Sequence, residues 1–373
     1  GRPRSAYFLR RGDTIGPYTI VARLGEGGMS YVFEAKHGTT GAVHAVKILL
    51  EKALSRSALV ARFKAEARVL QDCRQLPGVV PVYEIGDDPD LGPYIAMEKL
   101  AGHSLRATLQ QLQQSNDHLD LSTCLFIVVE LAETLHAIHL GGVVHRDIKP
   151  ENVMLCRQPH APTEESVRVL DFGIAKILDD DGEKPAVDSR AEPVTQEKSM
   201  LTRVGTIVGT PAYMAPEQGR AEPVDARTDI YACGVLLYEL ITGRVPFLGE
   251  TPMQVVMRHV NEPPRPPSDF QKVHPEVEKL IMRALAKYAV QRQQSAEEME
   301  VELLRVLALI DPSPVSVDES NKTLVIETGD AGAMAFPTLN IEVPDDLFPT
   351  APAAAPKAPP ARPAAAPAAP KPA

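Results

Sequence analysis

The stretch Val143-Val144-His145-Arg146-Asp147-Ile148-Lys149-Pro150-Glu151-Asn152-Val153-Met154-Leu155 constrains this chain more than any other. An acid, a cation and an amide fall within six residues, Asp147 to Asn152, between two short apolar runs that read as strands bracketing a tight loop. Asp147 can accept a proton from an incoming hydroxyl, Lys149 can neutralise charge on a transferring phosphoryl group, and Asn152 can offer an oxygen to a divalent metal. Phosphoryl transfer needs those three things together.

The chain has 373 residues, about right for two lobes and an appendage, and 44 % are apolar, enough to bury a core. Lys plus Arg is 39 against 49 for Asp plus Glu, a net charge of −10 with no basic run, so nucleic acid is not expected as a ligand. Cys73, Cys124, Cys156 and Cys233 are scattered without a CxxC pair, the pattern of a reduced, cytoplasmic protein with no disulfide or zinc framework. No uninterrupted apolar run approaches a membrane span, and the chain begins with neither Met nor a signal-peptide pattern. A fragment of a longer, membrane-anchored protein is compatible with that start.

From the N-terminus, residues 1–17 read as a leader, basic as far as Arg11. Tyr18–Leu24 and Tyr31–Ala35 read as a hairpin whose tip, Gly25-Glu26-Gly27-Gly28-Met29-Ser30, is glycine-rich. Glycines let backbone N–H groups approach phosphate oxygens, and Val32 just behind can cover a purine ring. A lone hairpin of this kind is weak evidence, and Ser30 stands where a third glycine is common. The strand Val43–Leu49 buries alternate residues and carries Lys47. From Ser57 to Cys73 apolar residues recur at helical spacing with Glu66 beside the stripe, the natural partner for Lys47. Val79–Ile85 and Pro93–Leu100 add two strands, and Met97-Glu98-Lys99-Leu100 reads as a hinge where backbone groups can hydrogen-bond an adenine edge.

The chain then turns helical. Leu121–Leu140 reads as an amphipathic helix stopped by Gly141-Gly142 that delivers the chain to the catalytic loop. His136 and His139 on it are not expected to bind metal, since no further ligand sits nearby. After Leu155 comes a Pro- and Glu-containing insert, then a strand Val167–Leu170 ending in Asp171-Phe172-Gly173, an aspartate placed to reach a metal. Residues 174–208 form the longest irregular stretch, ending in Gly209-Thr210-Pro211-Ala212-Tyr213-Met214-Ala215-Pro216-Glu217. Asp229–Ile241 reads as a buried helix capped by Gly243, with further helices near 253–260, 275–286 and 296–309. Beyond residue 310 the composition changes. The last 23 residues are only Ala, Pro, Lys and Arg, so 311–373 is expected to be a disordered Pro/Ala-rich tail, with 322–327 able to add one strand.

In order and spacing these motifs, G-E-G-G-M-S-Y-V, A-V-K, Glu66, H-R-D-I-K-P-E-N, D-F-G, G-T-P-A-Y and A-P-E, resemble the protein kinases. G-G-M, together with P-F-L-G-E-T-P and H-V-N-E-P-P-R-P-P-S, resembles the bacterial Hanks-type (eukaryotic-like) serine/threonine kinases. The likeness runs from about Tyr18 to Leu309. It implies an α+β, bilobal protein-kinase fold: a small antiparallel β-sheet N-lobe with one main helix over 18–100, and a larger, mainly helical C-lobe over 101–310.

The resemblance also assigns roles. ATP would lie among Leu24, Gly25, Glu26, Gly27, Gly28, Val32, Ala45, Met97, Glu98, Leu100 and Met154, with Lys47 on its α- and β-phosphates and Glu66 fixing Lys47. Asp147 would be the catalytic base, Lys149 would contact the γ-phosphate, and Asn152 and Asp171 would bind Mg2+. Glu217 should pair with Arg292 as a structural ion pair, and Asp229 should brace the catalytic-loop backbone. Leu70, Val82, His145 and Phe172 fit the hydrophobic spine of the active state. Lys149 with Thr210 is the pattern of Ser/Thr kinases, so protein substrates with Ser/Thr acceptors are the implied partners.

A pseudokinase scaffold would lack one of Lys47, Asp147, Asn152 or Asp171, and none is missing. A small-molecule kinase is disfavoured by Gly209–Glu217, a platform that exists to position a peptide. Arg146 beside Asp147 calls for an anion, and phosphothreonine at Thr202 or Thr206 would supply it. Thr195 and Ser199 rank lower. Autophosphorylation in trans, through a transient homodimer, is the implied route.

Overall fold

The structure, a computed structural model, describes residues 6–27, 30–54, 57–76, 78–158, 161–171, 211–310, 315–318, 323–326 and 339–342. The first lobe is an antiparallel sheet of β1 (Thr14–Ile15), β2 (Tyr18–Glu26), β3 (Ser30–His37), β4 (Val43–Leu49), β5 (Val82–Asp88) and β6 (Gly92–Glu98), in the order β1-β2-β3-β4-β6-β5. A short α1 (Glu51–Leu54) leads into α2 (Ser57–Asp72), which packs on β5 and β6.

Alternation along the strands gives this sheet two apolar faces. Ala45, Ile95 and Met97 face the main core with Phe63, Ala67 and Leu70 of α2, whereas Phe33, Val46, Ile48 and Ala96 form a second cluster on the other face. That second cluster corrects the expected boundary. Ile15 is wholly buried in it, Ala6 joins it, and β1 pairs with β2, so the N-lobe includes most of the expected leader. One buried isoleucine in a polar stretch leaves too little pattern to announce a strand, and only the neighbouring face of β2 and β3 makes it one.

The second lobe begins with β7 (Gly102–Ser104) and α3 (Leu105–Ser115), a helix the sequence reading did not place. Ser104 caps it by accepting from Ala107 N, and Leu105 and Thr108 supply its buried face; the glutamines that follow, Gln110, Gln111, Gln113 and Gln114, hid the stripe. Next come α4 (Leu121–Leu140), β8 (Val153–Gln158), β9 (Ala161–Val169), α5 (Pro216–Gly219), α6 (Ala226–Thr242), α7 (Pro252–Asn261), α8 (Pro275–Ala284) and α9 (Ala296–Ile310). At Gly102 a Cβ would lie 2.0 Å from the Leu155 carbonyl oxygen, so only glycine lets β7 approach β8. The expected Pro- and Glu-containing insert is corrected to the body of the β8–β9 hairpin: β9 starts at Ala161, six residues before the expected strand, because pairing with β8 outweighs its polar composition.

Helix α4 is not amphipathic. It is buried on most sides and packs against α6 and α9. Among the described residues it is the one helix long and apolar enough to cross a membrane, with mean hydropathy 1.6, yet 72 % of that window is buried in the protein, the position of a core helix. Helix α6 is buried along nearly its whole length, starts at the N-cap Asp225 and ends at Gly243, which takes φ +70°. Past residue 310, the expected strand at 322–327 appears as Thr323–Ile326. It is not alone: Val315–Asp318 and Leu339–Glu342 flank it in an antiparallel sheet, a correction to a wholly disordered tail. The register pairs Val315, Ile326 and Leu339 in one row and Val317, Leu324 and Ile341 in the next but one, so aliphatic alternation explains the pairing. The Ala/Pro/Lys/Arg segment lies outside the described residues.

Carboxylates meet where α4 faces α9. Glu300 is 7 % exposed, and burial, then Glu133 and Glu297, push its pKa up from 4.5 to about 7. Burial, opposed by the Val167 N–H and aided by Glu133, raises Glu130 to about 7 as well. A folded-state pKa above the unfolded one means a contribution that is full below pH 4.5 and lost as pH rises through 7. Glu300→Gln should therefore stabilise the fold at pH 8 by about 1–3 kcal/mol and change it little at pH 4.5. Thermal melts of both proteins across that range would overturn this if the gain were equal at both ends.

Candidate active site

The catalytic loop is held from beneath by one carboxylate. Asp229 of α6 is fully buried and accepts the backbone N–H groups of His145 at 2.8 Å and Arg146 at 2.7 Å, as expected of a brace. His139, at the end of α4, donates from Nε2 to Asp229 Oδ2 at 2.8 Å. The role of His139 as a third donor to Asp229 was missed, because nothing local in sequence links it to a residue 90 positions on.

His145 is buried, which lowers its pKa. Its Nδ1 accepts from Asp147 N at 3.3 Å, so Nε2 carries the proton and donates to Leu170 O at 2.9 Å. That bond ties the catalytic loop to the strand end bearing Asp171. Arg146 takes φ +67° and Asp171 φ +45°, left-handed conformations that cost a non-glycine residue roughly 1–2 kcal/mol each. At Arg146 both backbone groups are pinned: the amide to Asp229, the carbonyl by Gln218 Nε2 at 3.0 Å. Gln218 was also missed by sequence reading.

Around Asp147 the predicted groups converge. Lys149 Nζ donates to Asp147 Oδ2 at 2.6 Å, and Asn152 Nδ2 donates to Asp147 O at 2.8 Å and Oδ2 at 3.1 Å. The amide nitrogen of Asn152 is thus committed to Asp147, and Oδ1 is the atom able to accept a cation. Leu170 N donates to Asn152 O at 2.8 Å, which places Asp171 one residue from the Asn152 backbone. From the first lobe, Lys47 Nζ reaches Asp171 Oδ1 at 2.7 Å. The expected Lys47–Glu66 contact cannot be compared, since the side chain of Glu66 lies outside the described residues.

Sheet register explains how Lys47 gets there. Gly25 pairs with Val32, Val32 with Lys47, and Lys47 with Ile95, so the glycine-rich strand, Val32 and the lysine lie in one row facing the second lobe. Ala45 pairs with Met97 two rows on, on the same face. Leu24 and Glu26 lie on the exposed end of β2, and Gly27 N donates to Ser30 O at 2.8 Å to close the hairpin. Glu98 N donates to Pro81 O at 3.0 Å, which ties the start of the expected hinge to the segment before β5. Met154, half-buried on β8, follows Asn152 by two residues. Gly28, Phe172, Thr210, Thr202 and Thr206 lie outside the described residues.

The Asp171 carboxylate, beside Lys47, and the Asn152 amide oxygen are hard-oxygen donors of the kind that suits Mg2+ shared with phosphate oxygens. Among the described residues there is no cluster of three or more His, Cys, Asp or Glu able to hold a metal by themselves. Further off, the expected structural pair is formed: Arg292, fully buried, donates from both Nη atoms to Glu217 at 2.8 Å. All four cysteines are free and buried.

The family model for the protein kinase domain matches residues 18–303. The chain is 38 % identical over 292 residues to "Serine/threonine-protein kinase pkn3" of Myxococcus xanthus, covering 78 % of this chain and 50 % of that protein. It is 32 % identical over 332 residues to "Serine/threonine-protein kinase PknB" of Mycolicibacterium smegmatis, covering 88 % and 49 %. The chain therefore spans about half the length of these curated relatives. The crystal structure of the Mycobacterium tuberculosis PknI kinase domain superposes with a TM-score of 0.58 at 23 % identity over 80 % of this chain and 98 % of that one, a likeness of fold.

Proposed function

This chain belongs to the protein kinase family, and from that premise we propose that it transfers the γ-phosphate of ATP to Ser or Thr of protein substrates. The observation that carries the reading is the convergence of Lys149 and Asn152 on Asp147, with Lys47 on Asp171 across the cleft. Asp147 orients the acceptor hydroxyl and takes up its proton, and Lys149 lowers the charge on the phosphoryl group in transit. Lys47 holds the α- and β-phosphates. Asn152 Oδ1 and Asp171 would hold Mg2+, which when bound would screen the charge of the phosphates. Leu24, Gly25, Glu26, Gly27 and Gly28 cover the phosphates from above, while Val32, Ala45, Met97, Glu98, Leu100 and Met154 enclose the adenine. Glu66 fixes Lys47 in the active state. Four buried free cysteines support a cytoplasmic setting. Transfer from Mg-ATP to casein or myelin basic protein tests the reading directly; a protein that binds Mg-ATP but phosphorylates neither these nor itself would overturn it.

Regulation by autophosphorylation is part of the proposal. Thr202 and Thr206 lie between Asp171 and Glu217, a few residues before Gly209-Thr210, and a phosphate there would present about two negative charges to Arg146 next to the catalytic aspartate. Incubation with Mg-ATP should phosphorylate Thr202, Thr206 or both, in trans within a transient homodimer, and Thr202→Ala with Thr206→Ala should lower activity several-fold. Mass spectrometry that finds an unmodified peptide spanning both threonines in a fully active enzyme would refute this.

A further inference from the structure

The segment before β1 has no part in the chemistry above. Ala6–Phe8 makes a single helical turn, with Leu9 N donating to Ala6 O at 3.4 Å. The smallest residue of the turn is the one that faces inward: Ala6 is buried in the second apolar cluster with Ile15, and Leu9 packs against the same cluster. Tyr7 and Phe8, the two largest, stay 65 % and 70 % exposed, their rings in edge-to-face contact at 5.2 Å. Hydrogen bonds fix the turn to the sheet. Gly12 N donates to Ile20 O at 2.9 Å, Asp13 N to Arg10 O at 3.0 Å and Arg10 N to Asp13 Oδ2 at 2.8 Å, so the aromatic pair stands out from a part of the fold that is tied down.

Charge sets this segment apart from the rest of the chain. Residues 1–11 hold four arginines, Arg2, Arg4, Arg10 and Arg11, and no acidic residue, in a chain whose net charge is −10. Arg10 and Arg11 are exposed directly after the aromatic pair. A single exposed apolar side chain is ordinary, but two aromatic rings in contact and flanked by arginines have the composition of an interfacial anchor, with rings at the level of lipid headgroups and guanidinium groups on their phosphates. Screening at physiological salt limits the attraction to about 8 Å, so a planar anionic surface met by this segment draws in the arginines and leaves most of the acidic body outside its reach. A nucleic-acid strand fits less well. Base stacking needs open ring faces, and here the two rings stand at 87° to each other, the edge of one against the face of the other.

We propose that residues 2–11 are a membrane-contact segment that holds the chain on an anionic bilayer, with Tyr7 and Phe8 entering the headgroup layer, Arg10 and Arg11 on lipid phosphates, and Arg2 and Arg4 adding charge. Each arginine near such a surface strengthens binding by about fivefold, and the two rings add an apolar contribution that salt does not screen. The contact is reversible and needs no membrane-spanning helix.

The chain has no tryptophan, so Phe8→Trp places a single reporter at the tip of the segment. Its emission should move to shorter wavelength with vesicles of phosphatidylcholine and phosphatidylserine and stay unchanged with phosphatidylcholine alone. Wild type should co-sediment with the anionic vesicles only, and salt at about 0.5 M should release most of it. Arg10→Gln with Arg11→Gln should weaken that binding by about tenfold or more, and so should Tyr7→Ser with Phe8→Ser. Both double variants should keep the wild-type melting temperature, because all four side chains are exposed; the reporter and the salt series, which leave the arginines intact, test the contact separately. Absence of binding to the anionic vesicles, equal binding to the neutral ones, or double variants that bind as tightly as wild type would overturn the proposal. A reporter that shifts through self-association of the chain, or with a single-stranded oligonucleotide but not with vesicles, would overturn it as well.

Discussion

Asp147→Asn should lower kcat by about a hundredfold or more while Mg-ATP binding stays near that of the wild type, because the substituted oxygen acts on the acceptor hydroxyl and not on the nucleotide. The substitution also removes the anion that Lys149 and Asn152 grip at 2.6 and 3.1 Å. A neutral amide in that place loses both proton acceptance and the electrostatic hold on the two neighbours, and losses of positioning multiply with losses of chemistry. Nucleotide binding followed by calorimetry, beside turnover on casein, separates the two. Near wild-type kcat in the variant would remove Asp147 from its role.

Arg292→Ala should be the most destabilising single change in the C-lobe, by about 3–5 kcal/mol. All five guanidinium N–H groups are in use. Nε donates to Ala286 O at 2.8 Å, Nη1 to Glu217 Oε1 and Arg227 O at 2.8 and 2.9 Å, and Nη2 to Glu217 Oε2 and Lys287 O at 2.8 and 3.4 Å. Truncation leaves a buried carboxylate and three carbonyls without that donor, and it opens a void over the Tyr231 ring that the guanidinium now covers. Lysine offers three donors from one point and cannot restore the bidentate fork, so Arg292→Lys should recover less than half of the loss.

The pH dependence supplies a second readout. Burial by itself raises the Glu217 pKa, but the hydrogen bonds and charge of Arg292 outweigh it and hold the group below its ordinary value. A depressed folded-state pKa stabilises above the unfolded value and is lost as pH falls through the folded one. Without Arg292 the lowering groups that remain are the Thr228 hydroxyl and a backbone hydrogen bond, so burial moves the pKa upward, and the deficit of the variant should be larger at pH 8 than at pH 5. Urea unfolding at both values measures it. A deficit under about 1 kcal/mol, or one independent of pH, would mean that the pair contributes little.

What sequence alone determined was whatever local chemistry carries. Strands β2 to β6 were legible because alternate residues must face opposite sides. Helices α6 to α9 were legible because apolar spacing and the stop at Gly243 are local. The order Lys47, Asp147, Asn152, Asp171 was legible because phosphoryl transfer needs those groups whatever holds them. Tertiary structure decided the polar meetings that neither local chemistry nor the resemblance announced. His139 and Asp229 are 90 residues apart, and nothing near His139 in sequence marks it as a partner of that carboxylate. Ile15, an apolar residue in a polar leader, is a core residue only because a sheet face waits for it. A buried charge is tolerated when its hydrogen bonds are complete, and completeness depends on groups that the fold brings together from far along the chain.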